Sequence, residues 1–189
     1  MAYATLAQLR EYINVTSTSE DTLLQNLVTR AGQMVDTYTG ASFEATTATR
    51  YYNASEDVDG NTLLLDDDLL TVTTLTNGDS STIASTDYVL LPPNKSPKYA
   101  IRLLGSKGIA WIWASDPENA ISVAGAWGHS MVAPYDIVMA TLRIAAWMYR
   151  QRDAQVYDTV SVPDRGEIVI PQGLPRDAER ILRAYRRWM

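Results

Sequence analysis

The hydrophobic positions of this chain change period twice. From Leu6 to Tyr38 they recur at helical spacing. Leu6, Leu9 and Ile13 share one side of a short segment that Thr5 can cap. Ser17 to Glu20 has capping-box spacing and introduces a longer run, with Leu23, Leu24, Leu27, Val28, Ala31, Met34, Val35 and Tyr38 on one face. Gly40 closes it as a C-cap. This predicts two helices. Between Phe43 and Trp127 the period shortens, with Thr, Val, Tyr and Ile in brief runs separated by Gly, Asn, Asp and Pro. The runs predict strands at Thr47–Asn53, Thr62–Leu65, Thr71–Asn77, Tyr88–Leu91, Ala100–Leu103 and Ala120–Ala126. Asp59-Gly60 and Asn77-Gly78 are hairpin-type turns, and Pro92-Pro93-Asn94 is a further break.

Helical spacing returns after Pro134, which starts a helix running from Tyr135 to about Arg152. Ile137, Val138, Met139, Ala140, Leu142, Ile144, Ala145, Ala146, Trp147 and Met148 surround it almost completely, the mark of a central helix or one buried between subunits. Short extended pieces follow at Gln155–Val160 and Glu167–Ile170, with a possible turn at Asp164-Arg165-Gly166. The last sixteen residues, LPRDAERILRAYRRWM, form a two-faced helix. Leu174, Ala178, Ile181, Leu182, Tyr185 and Trp188 make an apolar stripe, and Arg176, Arg180, Arg183 and Arg187 lie opposite. Fenced by Pro171, Gly173 and Pro175, this helix reads as built to dock into a partner, against the alternative of folding back on its own domain. The expected fold is α+β. A helical-bundle core, made of the N-terminal helix pair and the long central helix, carries a β-rich insertion and a C-terminal docking helix. The expected divisions are 1–42, 43–128, 129–153 and 154–189.

Composition narrows the chemistry. The chain has 189 residues and no cysteine, which removes disulfides, thiolate metal sites and cysteine nucleophiles. No run reaches membrane-span length, and the N-terminus lacks a basic and apolar leader, so a cytoplasmic origin without export or anchoring is expected. From Arg143 onward nine arginines face six acids; residues 1–142 hold seven bases and sixteen acids. An acidic body with a basic tail points to a partner met through the tail, and it argues against wrapping nucleic acid.

Catalytic readings fail on the residues. His129, the single histidine, sits beside Ser130 in a glycine-flanked turn without a third orienting group. Asp57-Val58-Asp59-Gly60-Asn61 with Asp66-Asp67-Asp68 hints at calcium. An EF-hand loop from Asp57, however, needs Gly and Glu where Thr62 and Asp68 stand. Tyr51, Tyr52, Trp111 and Trp113 suit a sugar- or base-binding surface, or cross-strand packing pairs. No catalytic, cofactor-binding or metal-binding residue is assigned, and no cofactor is expected. What remains is surface: arginines and large aromatics typical of interface anchors.

Five segments in order carry a resemblance: LAQLREYINV; SEDTLLQNLVTRAGQMVDTYTGASF; RYYNA; ISVAGAWGHSMVAPYDIVMATLRIAAWMYRQRDA; and LPRDAERILRAYRRWM. Together they resemble the head-completion adaptors, or head–tail connectors, of tailed double-stranded DNA bacteriophages. The resemblance implies a virion protein of the neck, made in the host cytoplasm, that forms a homo-oligomeric and commonly dodecameric ring beneath the portal protein. The ring extends the DNA channel, helps retain the genome, and offers a platform to the stopper or tail-completion protein. Double-stranded DNA passes through without sequence-specific binding, and no membrane is involved. By the same resemblance the portal-docking residues are Leu174, Arg180, Ile181, Leu182, Arg183, Tyr185, Arg186, Arg187 and Trp188. Tyr135, Val138, Leu142 and Trp147 are expected to pack subunits. The alternatives are another neck or tail ring protein, a carbohydrate- or peptide-binding module, and a small hydrolase using His129.

Overall fold

The computed structural model describes residues 2–154, 159–162, 166–169 and 173–186. The chain divides into two compact units: a helical one, residues 1–41 with 133–189, and a sheet unit, residues 42–132.

The helical unit opens with α1 (Leu6–Ile13), which begins where a capping box closes: Thr5 and Gln8 satisfy each other's backbone N–H groups. α2 (Asp21–Thr39) ends on Gly40 in the left-handed conformation, φ 68°. The capping box expected from Ser17 to Glu20 does not form. Ser17 hydroxyl pairs with Ser19 instead, while Glu20 accepts from Tyr149 and Arg152 of α3 (Tyr135–Ala154), each at 2.6 Å. A distant pair of donors outcompetes the local cap. The chain continues through a hairpin of β7 (Thr159–Val162) and β8 (Gly166–Val169) to α4 (Arg176–Arg183). Part of the expected Gln155–Val160 piece, Ile170, and Asp164 and Arg165 of the expected turn lie outside the described residues. Leu9, Leu24, Val28, Ala31, Val35, Ile137, Ala140, Ile144, Ala145, Ala178 and Leu182 are completely buried. Among the described residues no helix is long and apolar enough to cross a membrane.

The sheet unit holds β1 (Thr46–Tyr52), β2 (Val58–Asp59), β3 (Thr62–Thr76), β4 (Tyr88–Leu91), β5 (Lys98–Leu103) and β6 (Ile121–Trp127). They form one antiparallel six-stranded sheet in the order β1-β6-β3-β5-β4, with β2 as a short hairpin arm on β3. The two expected strands at Thr62–Leu65 and Thr71–Asn77 are one long strand, whose register shifts around Leu69 and again between Val72 and Thr74. β6 lies between β1 and β3 and buries alternate residues: Ile121, Val123, Gly125 and Trp127. Opposite them in register stand Tyr52 and Arg50 on β1, and Leu69, Val72 and Leu75 on β3. Ile121, Val123, Trp127, Tyr52, Leu69 and Leu75, with Leu63, Leu65, Ile83, Ile101, Leu103 and Trp111, form a hydrophobic core of this unit, and Val72 packs against it. Gly125 is needed there, because a Cβ would meet the Thr71 carbonyl oxygen at 2.0 Å.

The expected helical-bundle core with a dominant central helix is therefore corrected. The main layer of ordered structure is the antiparallel sheet, which closes its own core and is no appendage to helices. α3, with 20 residues, hardly exceeds the 19 of α2. Nor is α3 buried all round: Ile137, Ala140, Thr141, Leu142, Ile144, Ala145 and Ala146 are buried, while Val138, Met139, Trp147 and Met148 are half-buried and Tyr135 is 76% exposed. Its alanines had inflated the apolar appearance of the helix, although each removes little area from water.

Candidate docking surfaces

α4 begins directly after Pro175. Asp177 and Glu179 occupy its first turn and Arg180 and Arg183 its last, matching the helix dipole. Ala178 and Leu182, one turn apart, are fully buried as the helix packs on α3 and α2. The ends of the contact are polar. Arg143 Nη1 donates to Asp177 at 2.7 Å, the Tyr38 hydroxyl donates to Glu179 at 3.2 Å, and Tyr185 reaches Asp136 at 3.5 Å. Leu174, Ile181 and Tyr185 are half-buried; Arg176, Arg180, Arg183 and Arg186 are exposed. Arg187 and Trp188, two of the expected docking residues, lie outside the described residues. The apolar stripe read from the sequence thus seats Leu182 within the helical unit itself, and the arginines are what α4 presents outward.

Two grooves border these helices. One, of about 580 Å³, is lined by Arg30, Gln33, Met34, Thr37, Tyr38, Leu174 and Arg186. Close by, Arg183 donates to Glu179 at 3.4 Å, and Tyr38 and Glu179 push its already high pKa further up. The other, between α1 and α3, holds Tyr12, Tyr135, Val138, Met139 and Leu142. Three of the expected packing residues, Tyr135, Val138 and Leu142, meet there. Trp147 lies apart, beside Arg143, Arg150 and Pro175.

In the sheet unit the suspected calcium ligands already have protein partners. Asp57 accepts from the Asn53 backbone N–H. Asp66 and Asp67 accept from Arg50 at 2.9 and 2.6 Å, and the Arg50 guanidinium lies 4.6 Å from the centroid of the buried Trp127 ring. The Tyr52 hydroxyl donates to Asp66 at 2.7 Å; burial first, and that carboxylate second, raise its pKa far above the usual phenol range. His129 pairs with Asp68 at 3.2 Å and packs on Phe43, holding the turn after β6. Among the described residues no group of acids and histidine is placed to hold a metal ion.

The aromatics divide. Tyr52 and Trp111 are core residues, while Tyr51 and Trp113 stay outside, Trp113 with 48% of its surface exposed beside the equally open Ile112. The Ile112-Trp113 loop is held from one side. Asn77 donates to the Ala110 carbonyl at 2.9 Å and accepts from the Ile112 N–H at 3.1 Å, and Gly78 bridges to Trp113. A Cβ at Gly78 would stand 2.3 Å from the Ile112 carbonyl oxygen. The reading of Trp111 and Trp113 as a packing pair missed this loop. Its available signal was the Asn77-Gly78 turn, whose partner is not predictable from local sequence.

Large side chains stay exposed in both units, among them Tyr12 and Tyr135 in the helical one and Tyr51, Tyr99 and Trp113 in the sheet one. Residues 3–73 match the family described as "Phage gp6-like head-tail connector protein". No curated protein matches the sequence. Solved structures share the fold over nearly the whole chain. A chain of the "Neck of empty GTA particle computed with C6 symmetry" aligns with TM-score 0.62 and 16% identity, covering 99% of this chain and 91% of that one. A chain of the "Virion of native gene transfer agent (GTA) particle" gives 0.59 and 15%, with 99% and 91% covered. One from the "Neck of native GTA particle computed with C12 symmetry" gives 0.59 and 17%, with 99% and 90% covered. Over residues 3–73 the chain is thus similar to head–tail connector proteins of the phage gp6-like kind, and over nearly its whole length it shares the fold of these particle chains.

Proposed function

We propose that this protein is the adaptor of a phage-like neck: copies arranged in a ring under the portal, joining the head to the stopper or tail. The observation that carries this reading is the connector-family match over residues 3–73, which covers α1, α2 and the first part of the sheet. The likeness of the whole fold to neck chains supports it. The ring is dodecameric, extends the DNA channel and helps retain the genome. Subunits pack through the exposed Tyr135 and its neighbours Val138 and Leu142, with Trp147 on the adjoining surface. The C-terminal helix meets the portal through the outward Arg180. Charge distribution fits a channel wall that DNA passes without adhering: the sheet unit holds eleven acids against five bases and so the whole net charge of −6.

The test is native mass spectrometry of the full chain with its cognate portal ring. The expected result is one copy per portal subunit for wild type, and loss of loading for Arg180→Glu. Deleting residues 174–189 is the poorer variant, since it uncovers the seats of Ala178 and Leu182. A portal competent for its other partners that takes up no wild-type protein would overturn the adaptor reading. Wild-type loading with unaffected Arg180→Glu removes Arg180 from the portal contact.

A further inference from the structure

The adaptor reading needs neighbouring copies to recognise one another head to tail, which requires two different surfaces on each chain. We propose that the Ile112-Trp113 loop of one copy seats in the α2–α4 groove of a second copy. The argument rests on the adaptor reading only for the ring; the complementarity is a property of the chain itself.

The loop has the character of an anchor. Trp113 and Ile112 are large, exposed and adjacent, and Asn77 and Gly78 hold their backbone in place from the neighbouring turn. A pre-ordered aromatic loses little conformational freedom on binding, which is why such residues dominate interface energetics. Acids surround it in the chain. Asp116 and Glu118 follow within five residues and Asp79 stands next to Gly78. Asp116 first, and Glu56 as well, make the Glu118 carboxyl harder to ionise than an isolated one. Cations brought near would relieve this repulsion.

The groove offers the opposite chemistry. Met34, Tyr38 and Leu174 supply apolar wall, and Arg30 and Arg186 bring positive charge. Among the described lining residues there is no acid, and Glu179 nearby is engaged by Tyr38 and Arg183. Its 580 Å³ falls within the about 300–1,000 Å³ typical of pockets that bury a ligand group, enough for an indole and a neighbouring aliphatic side chain. An acidic apolar knob and a basic apolar hole on one chain make a heterologous contact, the kind that generates rings when the rotation closes. This places Arg30 and Arg186 toward the neighbouring copy and leaves Arg180 for the portal.

The chain has no cysteine, so a contact between copies can be trapped cleanly. Full-length Ala114→Cys and Gln33→Cys, both at exposed positions, are mixed and oxidised at high protein concentration, and the disulfide-linked heterodimer is quantified by intact mass. The reference pair is exposed Asn94→Cys with Gln33→Cys. The expected heterodimer yield exceeds the reference by about tenfold or more, as a buried Trp anchor implies. Adding Trp113→Ala to the loop partner, or Arg30→Glu to the groove partner, returns it to the reference level; raising the salt concentration lowers it. Yield equal to the reference, yield indifferent to Trp113→Ala, or Ala114→Cys homodimers as the main product each overturn the proposal. Portal loading is not part of this assay, so a failed trap with intact loading removes the contact and leaves the adaptor standing.

Discussion

Whether α4 belongs to its own unit or waits for a partner turns on one residue. Leu182 is fully buried where α4 packs on α3 and α2, and Leu182→Ala removes its isopropyl group there. Truncating a buried leucine costs about 2–5 kcal/mol, from lost transfer energy and the cavity left behind. A seat walled by three helices relaxes only partly, so we take about 3 kcal/mol. The same change on an unpacked helix costs under about 0.5 kcal/mol. The two cases therefore differ by roughly two decades in the equilibrium for local opening, since about 1.4 kcal/mol is one decade. Hydrogen–deuterium exchange of peptides covering residues 176–184 reads that equilibrium directly, without requiring the two units to unfold together. Exchange about a hundredfold faster in Leu182→Ala, with exposed Arg180→Ala unchanged as control, is the expected result. Acceleration by less than about threefold refutes the packing argument. The apolar stripe would then be available for insertion into a partner.

The sheet unit supplies two further predictions. Gly125→Ala drives a methyl into the Thr71 carbonyl at the centre of the β3–β6 ladder, and is expected to destabilise that unit by more than about 3 kcal/mol; urea unfolding followed by Trp fluorescence measures it. Tyr52 binds its proton more tightly folded than unfolded, because burial and then Asp66 disfavour the phenolate. Its stabilising contribution is thus complete below the unfolded pKa of 10.0 and is lost progressively as pH rises beyond it. Alkaline unfolding of wild type is expected to steepen above that pH by one proton relative to Tyr52→Phe. Identical slopes would contradict the buried hydrogen bond.

Much of the local structure was legible in the sequence because its causes are local. Thr5 with Gln8 fixes the start of α1, Gly40 ends α2, and Tyr88–Leu91 is a strand whose ends are set by its own turn residues. Legibility failed where a distant group competed. Glu20 matched a capping box in spacing, yet Tyr149 and Arg152 of α3 hold its carboxylate. The Asp66-Asp67-Asp68 run looked like a break between two strands. Arg50 and His129 instead hold it by hydrogen bonds from other segments, and β3 runs through. The resemblance to connectors was likewise readable, since it rested on the order of several short segments, and residues 3–73 carry the family match.

Periodicity by itself determined where the long helices lie and which of their faces are apolar, because both follow from the backbone repeat and side-chain chemistry. Only the tertiary structure decided what each apolar face meets. It turned the α4 stripe inward onto α2 and α3, gave the sheet its own core around Trp127, and left Trp113 outside while burying Trp111. An apolar stripe carries the same pattern whether it packs on its own chain or on a partner. Burial depends on which other surfaces come within reach, and that is settled by contacts between residues far apart in sequence.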